Sequence, residues 1–312
     1  MKVVIVSGPT ATGKTDLAVK LASTFGGEVV NFDSLLLYKE VTIGTAKPTL
    51  SERQSVPHHL IDVRSIANPM NAADYAKVAL PVVEKILSEN KVVYLVGGSG
   101  FYLQALIKGM YDSPTTPQEI SQKSDELYKE QGIAPFLKIL SENDPESFKR
   151  YHENDHYRVR RAVEHWWANG TRLSEERLKK DNENKELRDA GVRNWEILHI
   201  HLDVPKDEHL EIITKRTKKM LSSGLIEEVK QILENGFTGG EKPLQSIGYK
   251  EVLDYLQGVH KNISECEERI IISTRQLAKS QRTWFKKDIS RKVFHPVEQK
   301  DEILTVVETF LK

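Results

Sequence analysis

Short apolar runs alternate with amphipathic stretches over the first third of the chain. Residues 3–6, 28–32 and 91–96 have the length and apolar content of buried strands, whereas residues 16–22 and 72–87 repeat apolar positions at helical spacing. A further helix is predicted from residue 101. Strands that alternate with helices predict a parallel sheet with helices on both faces, and they place any ligand at the carboxyl ends of the strands.

The pattern changes at residues 112–117, where prolines and hydroxyl residues accumulate. From 114 to 194 the chain is charged, helical in pattern and poor in strand signals, and a strand is predicted again at 195–204. Further helices are predicted at 207–235, 249–256 and 265–287. We therefore predict a core made of residues 1–113 and 195–312, interrupted by a helical insertion domain at 114–194.

A glycine-rich turn joins the first predicted strand to the first predicted helix and matches the P-loop pattern G-x-x-x-x-G-K-[ST]. Its N–H groups and the helix N-terminus would face an anion, Lys14 would add a positive charge, and the Thr15 hydroxyl could bind Mg²⁺. The pattern predicts a phosphate ester ligand but not which ester or which reaction, and a turn without a ligand is the alternative. The predicted fold class is α/β, a P-loop NTPase-like parallel sheet flanked by helices. The eight residues of the turn are Gly8, Pro9, Thr10, Ala11, Thr12, Gly13, Lys14 and Thr15.

Composition limits the function classes. The 312 residues are 39% hydrophobic, with 45 Lys and Arg against 45 Asp and Glu, so a polyanionic partner would need a local positive surface. The single cysteine, Cys266, excludes intramolecular disulfides and thiolate metal clusters and is expected to be a packing residue. No apolar run approaches the roughly 18 residues of a membrane span, and the chain starts without a signal-peptide pattern. We expect a cytoplasmic protein without a membrane partner.

Asp33 ends the second predicted strand beside the P-loop, at the edge where a phosphate substrate would react. Three roles are open to it: it could bind Mg²⁺ through water, act as a general base, or cap a following helix. The neighbouring P-loop favours the first two roles. Gly97-Gly98-Ser99-Gly100 follows the third predicted strand and resembles a second anion-binding turn, although glycine clusters often serve only close packing.

Two basic clusters could bind a polyanion. Arg158, Arg160 and Arg161 lie at the start of a predicted helix, where a solvated helix face is the more common explanation. The other cluster forms a stripe on one face of the predicted 265–287 helix, and it slightly favours nucleic acid over a solvated face. The stripe consists of Arg275, Lys279, Arg282 and Lys286, with Trp284 and Phe285 nearby.

Several strings match those of one enzyme family, in the same order and over nearly the whole chain. Besides the P-loop, they are Asp33-Ser34 with Tyr38, residues 43–48, 57–60 and 96–102, residues 158–164, Gly224-Leu225 with Glu228-Val229, and residues 247–251 and 274–279. The strings Gly44-Thr45-Ala46-Lys47-Pro48 and 274–279 are far more specific than the P-loop. On these strings the chain resembles the bacterial tRNA dimethylallyltransferases, also known as tRNA isopentenyl-diphosphate transferases.

The resemblance implies a reaction. A dimethylallyl group would pass from dimethylallyl diphosphate to N6 of the adenine on the 3′ side of the tRNA anticodon, with release of diphosphate. The P-loop would bind the diphosphate of this donor rather than ATP, with Mg²⁺ held by Thr15. Asp33 would be the general base, and Lys14, Thr15 and Arg216 would complete the catalytic set. The implied partners are dimethylallyl diphosphate and a tRNA anticodon stem-loop, bound by a cytoplasmic monomer.

The resemblance also implies that the target adenine is flipped out of the anticodon loop into a channel through the protein. The chain departs from the family at Ser99, where threonine is usual, and at Ser121 and Ser280, where basic residues are common. The implied tRNA contacts are Asp33, Ser34, Leu35, Leu36, Ser99, Ser121, His156, Tyr157, Arg158, Val159, Arg160, Gln245, Ser246, Ile247, Gly248, Tyr249, Lys250, Lys279, Ser280, Gln281, Arg282, Thr283, Trp284, Phe285 and Lys286.

Three other functions compete with this one. A P-loop kinase for small molecules would need ATP, and an adenine-nucleotide prenyltransferase would need only a free nucleotide; neither uses the basic stripe. An RNA-binding module with a structural P-loop would not need Asp33.

Overall fold

A computed structural model of the protein describes residues 1–53, 56–109, 116–189 and 194–312, without the side chains of 184–189. It contains two compact units, which we call the core unit, Met1–Ile107 with Asn194–Lys312, and the insertion unit, Lys108–Arg193. The predicted start of the insertion at 114 falls outside the described residues. The contact of the insertion with tRNA stays a prediction.

The described residues of the core unit contain one six-stranded sheet with the order β3-β2-β4-β1-β5-β6, in which every pairing is parallel. This confirms the predicted α/β fold class. The central strands are continuous apolar runs because helices cover both of their faces. The strands are β1 Lys2–Ser7, β2 Glu28–Asn31, β3 His58–His59, β4 Val93–Gly97, β5 Glu196–Leu202 and β6 Lys292–Phe294.

The helices of the described residues begin and end as follows: α1 Lys14–Phe25, α2 Ala72–Ser88, α3 Gly100–Lys108, α4 Gln118–Gln131, α5 Ala134–Asn143, α6 Pro145–Arg150, α7 His156–Asn169, α8 Leu173–Asp189, α9 Lys206–Ser222, α10 Leu225–Glu234, α11 Tyr249–Leu256, α12 Ile263–Phe285 and α13 Lys300–Leu311. None of them is long and apolar enough to cross a bilayer.

Two hydrophobic clusters lie on opposite faces of the sheet. On one face, the side chains of Val3, Ile5 and Leu95 pack with α2, α3 and α10 to α12. On the other face, Val4 and Val6 pack with α1 and α13. Alternate residues of one strand therefore supply both clusters, as the pleat of a strand requires. Cys266 is buried in the first cluster, which confirms its expected packing role.

The predicted helix at 207–235 is wrong as a single element. The structure ends α9 at Ser222 and begins α10 at Leu225, and Gly224 between them has φ 96°. A residue in this left-handed region cannot continue a right-handed helix. The break lets α10 turn its apolar residues Leu225, Ile226 and Val229 into the core.

The insertion unit has its own small core. Phe136 of α5 and Val159 and Val163 of α7 are fully buried in it. The carboxylate of buried Glu164 accepts a hydrogen bond from the Ser124 hydroxyl at 2.6 Å. Helices α4, α5, α7 and α8 thus contribute to a separate hydrophobic cluster, in agreement with the helical pattern of this segment.

A buried polar chain in the core unit has no counterpart in the sequence analysis. The Ser7 hydroxyl lies 2.6 Å from His199 Nε2 and 2.8 Å from His201 Nδ1, and His199 Nδ1 lies 2.6 Å from the Asp288 carboxylate. Ser7 is fully buried and ends β1 immediately before the P-loop, so its hydroxyl is not accessible as a nucleophile. It ties the start of the P-loop to β5 and to the residues that follow α12.

We expect the buried Ser7, His199 and His201 group to make the free energy of unfolding depend on pH. Burial lowers the pKa of His201 to about 4, against the opposing effect of Asp203 and with the support of His199, Arg291 and Lys14. An unfolded histidine titrates near pH 6.5, so the unfolded chain binds a proton that the folded chain refuses. The contribution of neutral, buried His201 to stability is complete above about pH 6.5 and is lost as the pH falls towards 4. The free energy of unfolding should fall by up to about 3 kcal/mol over this range.

Urea unfolding over this pH range measures the effect. His201→Asn keeps a polar atom near Ser7 but cannot titrate, so its free energy of unfolding should fall less steeply than that of the wild type. His152→Asn, at an exposed histidine, is the matched control and should follow the wild-type curve. Equal slopes for His201→Asn and the wild type would contradict the assignment.

Candidate active site

The P-loop crosses from the end of β1 to the start of α1 in a conformation that its sequence dictates. A Cβ atom on Gly8 would lie 2.5 Å from the Leu202 carbonyl oxygen, so only glycine fits there. The Thr12 hydroxyl and the Lys14 ammonium both donate to the Pro9 carbonyl, at 2.9 and 2.8 Å. These bonds close the loop and bring the first N–H groups of α1 to one end of a cavity.

The cavity has a volume of about 280 Å³ and lies within the core unit. Charged groups at its wall come from the P-loop and the start of α1, from the residues after β2 and from α9, and the remaining wall mixes aliphatic side chains with polar ones such as Asn31 and His58. The lining residues are Thr10, Ala11, Thr12, Gly13, Lys14, Thr15, Asp16, Val29, Asn31, Asp33, Leu36, Thr45, Ala46, Pro48, His58, Ile61, Val96, Gly97, Ile212 and Arg216.

Two cations and one carboxylate dominate the charge of the cavity. Burial lowers the pKa of Lys14 to about 8, while Asp33 raises it and Arg216 lowers it further. Burial also lowers the pKa of Arg216, again against the effect of Asp33. The three groups therefore interact electrostatically, and the two cations outnumber the one carboxylate that acts on both of them. The Asp16 carboxylate of α1 also lies at the cavity wall.

The hydrogen bonds of the two cations support this conclusion. Lys14 donates to the Pro9 carbonyl, and Arg216 donates to the Thr45 carbonyl at 3.3 Å. Among the described residues, neither cation is within ion-pairing distance of a carboxylate. Carbonyl oxygens satisfy a donor but do not neutralise a charge, so both cations can still pair with an anion.

Asp33 lies in a loop rather than at a helix start. One carboxylate oxygen accepts the N–H of Leu35 at 3.1 Å, and the Asp33 N–H donates to the Asn31 side chain at 2.8 Å. Residues 34–37 form bends and turns, so the helix-cap alternative for Asp33 is wrong. One hydrogen bond leaves most of the acceptor capacity of the carboxylate for a substrate or a metal ion.

Glu228 and Tyr249 fix the loop opposite the P-loop. The Glu228 carboxylate accepts the N–H groups of Thr42, Ile43 and Gly44 at 3.1, 2.8 and 3.4 Å, and it also accepts the Tyr249 hydroxyl at 2.5 Å. This loop supplies the Thr45 carbonyl that binds Arg216. Sequence reasoning assigned Tyr249 to the implied tRNA contacts and quoted Glu228 only within a matching string, without a role.

Lys47, in the loop that carries Thr45, is engaged by other groups. Its ammonium pairs with Asp62 and donates to the Tyr38 carbonyl. The cationic character of the cavity therefore comes from Lys14 and Arg216.

The glycines after β4 serve close packing. A Cβ atom on Gly100 would lie 2.0 Å from the Trp284 ring, which packs against Phe101 with 4.2 Å between ring centroids. Ser99, in the same turn, accepts the Ser34 N–H at 3.0 Å. The turn thus joins the Asp33 loop to α12, and packing explains its glycines without an anion.

Comparisons with known proteins agree with this geometry. The family model described as IPP transferase matches residues 36–288. The chain is 39% identical to the tRNA dimethylallyltransferase 2 of Geotalea uraniireducens, over 92% of this chain and 90% of the relative. It is 38% identical to the tRNA dimethylallyltransferase of Bdellovibrio bacteriovorus, over 99% and 98% of the two chains. The chain belongs to the IPP transferase family.

Solved structures of IPP transferases have the same fold. The tRNA isopentenylpyrophosphate transferase of Bacillus halodurans is similar with a TM-score of 0.71 and 30% identity, over 99% of this chain and 96% of that one. A eukaryotic dimethylallyltransferase acting on tRNA is similar with a TM-score of 0.78 and 27% identity, over 99% and 79%. The resemblance stated from the sequence is thereby confirmed.

The residues of α12 that the IPP transferase resemblance assigned to tRNA fall into two groups. Lys279, Ser280, Thr283 and Lys286 are exposed, and Lys279, Thr283 and Trp284 line an open groove on this helix. Three others are engaged inside the protein. Arg282 donates to Asp203 at 2.8 Å, Gln281 donates to the Gly98 carbonyl at 3.1 Å, and Phe285 is buried in the core.

The assigned residues near α11 and in the insertion unit are similarly divided. The side chains of Tyr249 and Val159 are buried, and Arg160 donates to Ser124 and stacks over Tyr128. Tyr157 is 73% exposed. Lys250 is exposed and pairs with Asp254 at 2.9 Å. The buried side chains are packing residues in this structure, and RNA contact by the exposed ones stays a prediction.

Proposed function

We propose that the protein transfers the dimethylallyl group of dimethylallyl diphosphate to N6 of the adenine on the 3′ side of the tRNA anticodon, and that it acts as a cytoplasmic monomer. The observation that carries the proposal is the cavity of an IPP transferase that brings two cations, Lys14 and Arg216, together with the Asp33 carboxylate. The cations suit the diphosphate of the donor, the aliphatic wall suits its hydrocarbon chain, and Asp33 suits the acceptor amine.

The P-loop end of the cavity would hold the diphosphate. The free N–H groups at the start of α1, the Lys14 ammonium and the Arg216 guanidinium are its donors. As the bond between C1 of the donor and the bridging oxygen breaks, negative charge grows on the departing diphosphate. Groups that are already fixed around it stabilise this charge without rearranging, which lowers the barrier.

Asp33 would take the proton. The exocyclic amine of adenine is a weak nucleophile because its lone pair is delocalised into the ring, and it becomes acidic as it attacks C1. A carboxylate within reach accepts that proton and keeps the new carbon–nitrogen bond from reverting. The transfer needs no covalent enzyme intermediate, which agrees with a cavity lined by no cysteine.

The residues present also fit Mg²⁺. This ion prefers oxygen ligands and commonly binds through one or two protein oxygens, with substrate phosphates and water completing its shell. The Thr15 hydroxyl and the carboxylates of Asp33 and Asp16 are oxygen donors at the cavity wall. The described residues hold no cluster of three or more His, Cys, Asp or Glu for a metal, so the diphosphate would supply ligands. When bound, the ion would neutralise part of the charge of the diphosphate.

One assay separates the proposal from its competitors. Purified protein is incubated with dimethylallyl diphosphate labelled in the hydrocarbon and with unmodified tRNA, AMP or no acceptor. A parallel reaction contains ATP labelled in its terminal phosphate. We expect label on tRNA alone. Label on AMP but not tRNA would indicate an adenine-nucleotide prenyltransferase, phosphoryl transfer from ATP would indicate a kinase, and tRNA binding without transfer would indicate an RNA-binding module.

The exposed cations of α12 are expected to contribute to tRNA affinity. Lys279→Ala combined with Lys286→Ala should weaken binding and reduce the slope of log K against log salt by about 1.5, because each lost phosphate contact removes about 0.7–0.9 from it. Filter binding at several salt concentrations measures the slope. Lys20→Ala with Lys300→Ala removes two exposed lysines from α1 and α13 and is the charge-matched control. A wild-type slope in the α12 double variant would assign these lysines to a solvated face.

A further inference from the structure

Thr10 of the P-loop is held on both sides by buried side chains of the core unit. Its N–H donates to Gln281 Oε1 at 2.8 Å, and its carbonyl accepts the His209 ring at 2.8 Å. Gln281 comes from α12 and also donates through Nε2 to the Gly98 carbonyl. The two peptide groups that flank the Thr10 Cα are therefore fixed by side chains from two different helices.

The hydrogen bonds of His209 determine its protonation. Arg282 lies 2.9 Å from His209 Nδ1 and, as an obligate donor, requires that nitrogen to accept. Nε2 must then carry the proton that it donates to Thr10. Burial lowers the pKa of His209, with Arg282 and Lys14 acting in the same direction and Thr10 and Asp203 opposing, which favours the neutral ring that the Arg282 contact requires. Arg282 is itself held by Asp203 at 2.8 Å and by the Val204 carbonyl at 3.2 Å.

The P-loop needs such support because its next residue is strained. Ala11 has φ 66°, a conformation that L residues with a side chain avoid. The loop must keep this conformation before any donor is bound if its N–H groups are to be ready for the diphosphate. Hydrogen bonds to both sides of Thr10 restrict the loop to it. The Thr10 N–H is also already occupied, so it is no donor to the ligand.

We propose that Gln281 and the Arg282–His209 pair are positioning residues for the diphosphate-binding loop. The family resemblance assigns Gln281 and Arg282 to tRNA, yet the structure directs Gln281 to Thr10 of the P-loop and Arg282 to His209, which itself binds Thr10. The inference rests on the proposed function, since it names residues that prepare the same site. Lys279 and Lys286 lie on the exposed side of the same helix. One side of α12 therefore contacts the P-loop, and the other side faces solvent.

Three substitutions test the inference. Gln281→Met keeps the length of the side chain but removes both hydrogen bonds. It leaves the Thr10 N–H without an acceptor and so destabilises the binding conformation of the P-loop. A cost of this size weakens the binding of a ligand to the loop by about tenfold or more. His209→Leu removes the other half of the support, and His209→Gln restores an N–H donor. We expect Gln281→Met and His209→Leu to raise the KM for dimethylallyl diphosphate by about tenfold or more, with the KM for tRNA within twofold of wild type. His209→Gln should recover most of the loss.

Direct binding of inorganic diphosphate, measured by calorimetry, gives a readout that does not depend on turnover. Wild-type protein that binds no diphosphate and transfers no prenyl group would refute the proposed function itself. If the wild type does both, a Gln281→Met protein with unchanged diphosphate affinity, or with equal losses for tRNA and diphosphate, would overturn the positioning role. Melting curves establish which variants are folded, and the His209→Leu and His209→Gln pair decides the question if Gln281→Met is not.

Discussion

Asp33→Asn should lower the rate of prenyl transfer by about 10²–10⁴-fold, the usual contribution of a positioned general base. The amide has the shape of the carboxylate but cannot take the proton from the attacking amine. Donor binding should persist, because Lys14 and Arg216 lose an opposing charge and the P-loop is untouched. The binding of tRNA should stay within a few-fold of wild type, since Asp33 is one contact of many.

Single-turnover kinetics with saturating donor and tRNA separate this effect from binding. Asp74→Asn is the matched control, because it makes the same change at a carboxylate in the first turn of α2 that does not line the cavity. Its rate should equal that of the wild type. If Asp33→Asn turned over within tenfold of wild type, another group would have to accept the proton.

Lys14→Met should lower kcat/KM for the donor by about 10²–10³-fold, the effect of removing one fixed donor to a developing negative charge. The same substitution should raise the stability of the free protein. Burial lowers the pKa of Lys14 from 10.5 to about 8. At neutral pH the Lys14 ammonium is therefore less stable in the folded protein than in the unfolded chain. A neutral side chain of similar length removes this cost, which we put at about 1–3 kcal/mol.

Opposite changes in activity and stability are the signature of this prediction. Chemical denaturation at pH 7 and donor titrations of the same protein batch measure both. Lys20→Met alters an exposed lysine of α1 and should change neither quantity appreciably. A Lys14→Met protein that lost activity together with stability would make Lys14 a structural residue instead.

The sequence was most informative where a pattern is local. The four inner strands, β1, β2, β4 and β5, and the helix at 249–256 follow from runs and periodicity, and α11 spans that helix as predicted. Strands β3 and β6 were not predicted, because two and three residues cannot display a period. The break between α9 and α10 depends on a single glycine, which an otherwise helical pattern conceals.

The site was harder to predict than the fold because its geometry depends on distant residues. Helical spacing correctly places Arg282 on one face with Lys279 and Lys286, but it cannot reveal that Asp203, 79 residues away in the chain, turns it inward. The same applies to Gln281, whose partner Thr10 is 271 residues away. The family resemblance named the reaction, whereas only the structure shows which members of a matching string face solvent.

The most direct test uses an anticodon stem-loop in which the target adenine is replaced by purine, which lacks the N6 amine. Single-turnover reactions with dimethylallyl diphosphate are followed for diphosphate release and, by mass spectrometry, for prenylated nucleoside. The account predicts one diphosphate released and one prenyl group on N6 for each adenine-containing loop, and neither product from the purine loop, although both loops bind equally. Diphosphate release with the purine loop, or a prenyl group on any other atom, would contradict it.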